Sequence, residues 1–385
     1  MRFQRILSFL LIAFAVGLLF LAAFIASSAL RVQDLAQYWA GAHLIRQNPY
    51  SETLVTDFER SFGYSMNSPA MVMRNPPSAL ALLLPLRYMN YNIAFAFWTL
   101  LSVLIVAGCA RASSSLSGNS ESSLAPAFLC LLYGPTVALL LVGQIAVLVL
   151  LGVTLFLIMV ERKRDWLAGA FLSLTFVKPH VVLLLLIAIA LWTIRTRRWA
   201  VFVSMGLSLA ATSGVALLMN PHVFVQYIAF AREFAGETTP YPNIGGLLYV
   251  ISGSRDFAFL PQIAGLAWLG FYWQKHRSNW DWKSHGMVVL LVSVACSYYS
   301  FPFDQIVVLP ALMAAYANGN RRMFLGAFIA TNLGFAFYIS NLAGRFGLSY
   351  MFLWWTATGW LITYVAAMKL RLRETATTAT SVYGA

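Results

Sequence analysis

A carboxylate placed just past a long apolar run is the first group in this chain with chemistry to offer. Asp34 follows the run 6–29 and opens the segment Asp34-Leu-Ala-Gln-Tyr-Trp-Ala-Gly-Ala-His-Leu-Ile-Arg46. The segment reads as a helix near the membrane surface. It is stopped by Asn48-Pro49-Tyr50, because proline cannot continue a helix. The helix dipole favours an ionised carboxylate at the amino end. Such a group can accept a proton from an incoming hydroxyl. Gln37, three residues on, also fits Asp34 to a capping box. The two roles are compatible.

Other polar residues stand out against apolar surroundings. Lys178-Pro179-His180 separates two apolar runs, and an ionisable group there is costly unless paired or functional. Facing the outer water layer, Lys178 and His180 would suit a phosphate. A hairpin tip snorkelling to the interface is the structural alternative. Arg74 precedes Asn75-Pro76-Pro77 and fits either an anion partner or an interfacial anchor. Asp304 lies among aromatics in Ser297-Tyr-Tyr-Ser-Phe-Pro-Phe-Asp304, at a turn between two apolar runs. It is a functional candidate or an interface turn residue. Asn243, in Pro240-Tyr-Pro-Asn-Ile-Gly-Gly246, offers amide bonds of the kind that orient sugar hydroxyls, or a turn. Gln144 after Gly143 is a lone amide at a hairpin tip. Glu233 and Glu237 read as solvated surface.

The elements that must hold these groups are apolar. Sixty per cent of the residues are hydrophobic, only 10% are charged, and the mean hydropathy is +0.73. A soluble domain carries about a quarter charged residues, so lipid is the solvent. The predicted spans are 6–29, 91–110, 125–142, 144–160, 166–178, 181–194, 199–218, 257–274, 285–302, 303–318, 323–341 and 348–368. They make an all-α polytopic membrane protein of about twelve transmembrane helices, with 1–385 as a single membrane domain. The pair 166–178 and 181–194 is short and reads as a hairpin inside the bundle.

The net charge of +13 is not a nucleic-acid signature, because the basic residues sit in loops between spans. Most of them, such as Arg162, Lys163, Arg164, Arg195, Arg197 and Arg198, fall on one side. That side is the cytoplasm by the positive-inside rule, and both termini share it. Two long segments then face outward, 30–90 and 219–256. The first carries interfacial helices, including one at Ser78 to Leu86. Tyr38, Trp39, Tyr50, Tyr64 and Tyr88 suit the interface. Cys109, Cys130 and Cys296 show no metal or disulfide pattern. No Walker loop, Rossmann fingerprint, HExxH, GxSxG or DxD pair is present. No cofactor and no metal site are therefore expected.

Several segments, in order, resemble the bacterial glycosyltransferase family 87, a branch of the GT-C membrane glycosyltransferases. They are Asp34 to Leu44, Asn48-Pro-Tyr, Asn75-Pro-Pro-Ser to Leu86, Gly143-Gln144, Leu167 to Pro179, Asn243 with Gly245-Gly246, and Phe301 to Pro310. This chain has Asn75 where the family often has Tyr, and Phe301 and Phe303 where Tyr or His is frequent. The resemblance implies a GT-C-like bundle with periplasmic juxtamembrane helices in the bacterial inner membrane. It implies inverting transfer of one hexose or pentose from a polyprenyl-phosphate donor to a lipid or glycan acceptor in the periplasm. Asp34 would be the general base. Lys178, Arg74 and His180 would hold the donor phosphate. Tyr38, His43, Gln144, Asn243 and Asp304 would contact substrate. A transporter or flippase for a lipid-linked sugar is the alternative; such proteins often carry inverted repeats, and none is evident here.

Overall fold

A computed structural model of the protein describes residues 34–62, 71–118, 124–234, 240–342 and 350–383. No strand occurs among them. The helices are α1 Leu35–His43, α2 Glu52–Ser61, α3 Pro77–Leu83, α4 Tyr91–Leu116, α5 Ala125–Leu131 and α6 Gly134–Val142. There follow α7 Ala146–Glu161, α8 Asp165–Leu172, α9 Leu183–Thr196, α10 Ala200–Met219, α11 Val223–Phe234 and α12 Ile244–Ser252. The last are α13 Leu260–His276, α14 His285–Ala295, α15 Leu309–Asn318, α16 Arg321–Leu342 and α17 Thr356–Tyr383.

Among the described residues, four stretches are long and apolar enough to cross a bilayer: Tyr91–Leu116, Pro179–Thr196, Ala200–Met219 and Met351–Arg371. A fifth is added if α5 and α6, bent by 61°, count as one span. The expected spans 144–160, 166–178 and 285–302 correspond to shorter helices. A full crossing takes about 20 residues, and these helices are broken or buried instead. The first expected span, 6–29, lies outside the described residues.

The chain divides into two compact units. One comprises Met1–Ile105, Leu140–Ile145 and Leu209–Glu237; the other comprises Val106–Leu139, Ala146–Ser208 and Thr238–Ala385. In the first unit α1 packs against α2, α3 and the 3-10 turn 84–88. Ala40, Leu44 and Val55 form a small core joined by Leu54, Phe58 and Val72. The sequence places α1 at a surface; the fold buries it on nearly every side. Tyr38, Trp39 and Tyr50 are enclosed with it, whereas Tyr88 is exposed; Tyr64 lies outside the described residues. Trp39 meets the rings of His43, Phe58, Phe62 and Tyr91, and its indole N–H donates to the Met89 carbonyl at 3.0 Å. Ser51 caps α2 by accepting from the Leu54 N–H, and Pro77 opens α3 where its missing N–H costs nothing. The expected loop 219–256 is largely helical, in α11 and α12. Glu233 is exposed there, and Glu237 lies outside the described residues.

In the second unit α7 lies against α8 and against the 3-10 turns 173–177 and 302–308. Gly152 allows this approach: a Cβ there would come within 2.9 Å of the Phe171 carbonyl oxygen. Small residues at helix contacts serve the same end throughout membrane bundles. Helices α9 and α14 pack together, as do α14, α15 and α17 around one another, and α16 packs on α17.

Glu59 is an acid that its local sequence does not set apart. It sits four residues after Val55 on the buried face of α2 and is only 7% exposed. Burial pushes its carboxyl up to about 7, against the opposing help of the Met71 backbone hydrogen bond. A raised carboxyl pKa means the folded protein holds the proton more tightly than the unfolded chain. The associated stability is complete below the ordinary value of 4.5 and is lost as pH rises towards 7. Glu59→Gln should therefore raise thermal stability at pH 8, on the order of 2–3 kcal/mol, and leave it unchanged at pH 4. Melting curves of the purified protein at the two pH values check this; equal effects at both would exclude it.

Candidate active site

Two buried polar clusters emerge, one in each unit. In the first, Asp34 immediately precedes α1. Its side chain makes no cap hydrogen bond to the helix, which overturns the capping-box reading. The Asp34 carboxylate instead accepts from the Gln144 side-chain amide at 2.6 Å. Tyr38, one helical turn on, donates its hydroxyl to the Gln144 carbonyl oxygen at 2.8 Å. The backbone N–H of Ile145 donates to that same oxygen at 2.9 Å. Gln144 is 5% exposed and Tyr38 1%, while Asp34 is half-buried. Three residues singled out separately thus form one chain of hydrogen bonds.

The local backbone explains how Gln144 gets there. Gly143 ends α6 with φ +71°, a conformation that side chains oppose. A Cβ at this position would also come within 2.8 Å of Leu35 Cβ. Glycine is required both for the turn and for the close approach to α1.

His43 closes α1. Its Nδ1 lies 2.9 Å from the Trp39 carbonyl oxygen, and its ring packs on Trp39 and Phe58. Burial lowers its pKa, the Trp39 hydrogen bond opposes that, and the charge of Arg87 adds to it. Arg74 stands exposed before Asn75. The Asn75 carbonyl accepts from the Tyr50 hydroxyl at 2.9 Å.

The second cluster centres on Lys178 and Asp304. In the sequence they stand 126 positions apart; the fold makes them one site. The Lys178 ammonium donates to Asp304 Oδ1 at 2.7 Å, and both side chains are almost wholly buried. Lys178 was expected to face water. It sits instead at the break between the 3-10 turns 173–177 and 179–182, with its ammonium 5.2 Å from the Phe303 ring centre. Asp304 Oδ2 accepts from the Phe301 N–H at 2.9 Å, so both carboxylate oxygens are engaged.

Asn243 organises the backbone beside this pair. Its Oδ1 caps α12 by accepting from the Gly246 N–H at 2.8 Å. Its amide nitrogen reaches the carbonyl oxygens of Ser297 and Tyr298 and the Ser300 hydroxyl. Ser297 in turn donates to the His180 carbonyl at 3.1 Å. The irregular stretch 296–301 is therefore tied at several points. Among the described residues no group of three His, Cys, Asp or Glu side chains could hold a metal ion.

Several helices long and apolar enough to cross a bilayer, with polar clusters buried among apolar side chains, mark a membrane protein. A family model described as Glycosyltransferase family 87 matches residues 74–340. The chain belongs to that family and is a glycosyltransferase, an enzyme that takes a sugar donor and an acceptor. No curated protein and no solved structure matches it. Gln144, Lys178, His180, Asn243 and Asp304 fall within the matched residues; Asp34, Tyr38 and His43 precede them.

The buried ion pair makes a stability prediction. Removing one partner strands the other charge, at about 3–5 kcal/mol. Lys178→Met should unfold at much lower temperature than the wild type. The double change Lys178→Met with Asp304→Asn should recover most of that loss, because no charge is then left unmatched. Thermal unfolding of the three proteins in detergent checks it; a double variant no better than the single one contradicts the coupling.

Proposed function

We propose that this glycosyltransferase moves a single hexose or pentose from a polyprenyl-phosphate donor to a lipid or glycan acceptor, with inversion. The proposal extends to a GT-C-like bundle of about twelve transmembrane helices, resident in a bacterial inner membrane and working on the periplasmic side. Support for a lipid-linked donor comes from the apolar body of the chain and from the lack of any nucleotide-binding fingerprint in the sequence.

The observation that carries the mechanism is the Asp34 carboxylate fixed at 2.6 Å by Gln144. One Asp34 oxygen is held by the amide, and the group is half-buried rather than enclosed. Asp34 takes the proton from the acceptor hydroxyl as its oxygen bonds to the anomeric carbon. The bond from that carbon to the phosphate oxygen breaks on the opposite face, and the electron pair leaves with the polyprenyl phosphate. Attack from the face opposite the leaving group inverts the centre. Gln144 and Tyr38 keep the carboxylate aimed. Lys178 is the proposed cation for the donor phosphate: an ammonium has three N–H donors, and Asp304 takes one. Asp304 then acts through Lys178. Arg74 is a second proposed phosphate partner.

General-base catalysis is worth about 10²–10⁴-fold. Asp34→Asn should lose at least 10²-fold in kcat in membranes supplied with polyprenyl-phosphate sugar, with donor KM little changed. Wild-type turnover in that variant would remove Asp34 from the mechanism. Lys178→Ala should raise KM for the donor more than for the acceptor.

A further inference from the structure

His180 has a backbone role through its carbonyl, but its ring poses a different question. The Nε2 atom is buried and has no hydrogen-bond partner. Buried polar atoms are nearly always satisfied, and an orphan calls for an explanation. The imidazole stands edge-on to Tyr299, with ring centres 4.8 Å apart and planes at 75°. Tyr299 in turn meets Tyr241 at 4.5 Å and 76°, and Phe301 at 5.7 Å and 89°. Tyr241 and Phe301 close the triangle at 5.6 Å and 76°. Three mutually steep rings make an aromatic corner beside the orphaned nitrogen. Tyr299 and Phe301 are half-exposed there, while Tyr241 is buried.

An unsatisfied nitrogen next to partly open aromatic rings is complementary to one kind of ligand. A sugar ring offers C–H bonds on its face and hydroxyls at its edge. The positive edge of C–H bonds matches the negative face of an aromatic ring, and an equatorial hydroxyl can meet a ring nitrogen in either tautomer. A phosphate would not gain from the aromatic walls. The backbone of this corner is fixed by Asn243 through the carbonyls of residues 297 and 298, so the rings are held before any ligand arrives.

We infer that His180 Nε2 and the Tyr241–Tyr299–Phe301 corner form a subsite for the sugar ring of the donor, with His180 reading a hydroxyl. The inference rests on the lipid-linked donor proposed above and gives His180 the sugar rather than the phosphate.

The test compares binding of two lipids to purified protein by native mass spectrometry: polyprenyl-phosphate mannose and sugar-free polyprenyl phosphate. Polyprenyl-phosphate glucose and arabinose serve as alternative sugars if mannose is not preferred. Tyr299→Ala and His180→Asn should each weaken the sugar-bearing lipid by about 10-fold, and leave the sugar-free lipid within about twofold. Tyr299→Phe, which keeps the ring and guards against misfolding, should bind as the wild type does. Equal loss for both lipids would put phosphate at His180 and overturn the subsite, as would no loss for either. A Tyr299→Phe variant as weak as Tyr299→Ala would overturn the stacking. Wild-type protein that binds neither lipid fails the donor proposal itself, and the subsite with it.

Discussion

A charge taken out of water has to be met by an opposite charge or by aimed donors, and this requirement shapes the second unit. Moving a carboxylate or an ammonium into a protein interior costs several kcal/mol per ion. Asp304 meets the demand with the Lys178 ammonium on one oxygen and the Phe301 N–H on the other. The second bond is possible only because the backbone at Phe301 is extended. Helix α14 therefore ends at Ala295, and a 3-10 turn starts at Pro302. Non-helical backbone in an apolar bundle needs other partners for its polar groups. Asn243, Gln262 and Ser297 supply them. One ion pair thus fixes the course of a whole irregular segment.

The first unit solves a related problem with a neutral group. The Asp34 carboxylate accepts from the Gln144 amide at 2.6 Å. A neutral amide donor fixes the direction of a carboxylate oxygen without adding a positive charge of its own. Gln144 is itself held by the Tyr38 hydroxyl and the Ile145 N–H, so the contact is anchored from both ends.

Much of this was legible in the sequence. The apolar runs, the isolated polar residues and the Pro-Pro and Gly-Gln punctuation identified the segments and nearly all the side chains discussed. What composition could not supply was pairing. Lys178 and Asp304 are separated by 126 positions, and Asp34 and Gln144 by 110; no local pattern encodes such contacts. Helix length misled as well. An apolar run says that a segment avoids water, but not whether lipid or protein surrounds it. The segment 285–302 reads as one span, yet the demand of Asp304 for the Phe301 N–H cuts it short. Likewise Trp39 and Tyr38 look interfacial by type, while the packing of α2 and α3 encloses them. Glu59 has charged neighbours, Asp57 and Arg60, which mask that it faces inward. Its spacing from Val55 was the available signal.

The orientation of Gln144 determines how the Asp34 carboxylate is held. Side-chain oxygen and nitrogen of a glutamine are distinguished by their partners. Here one end is approached by two donors, the Tyr38 hydroxyl and the Ile145 N–H, so that end is the oxygen. The amide nitrogen is then committed to the opposite direction, where it must find an acceptor. A carboxylate is the strongest acceptor the side chains offer. Gly143 fixes the turn that delivers the amide, and its missing Cβ leaves the room that Leu35 occupies. The position of Asp34 therefore follows from a glycine, a tyrosine and a backbone N–H. Gly143, Gln144 and Ile145 lie inside the family-matched residues, although Asp34 does not. A constraint set within the family region thus reaches back to hold a carboxylate that precedes it.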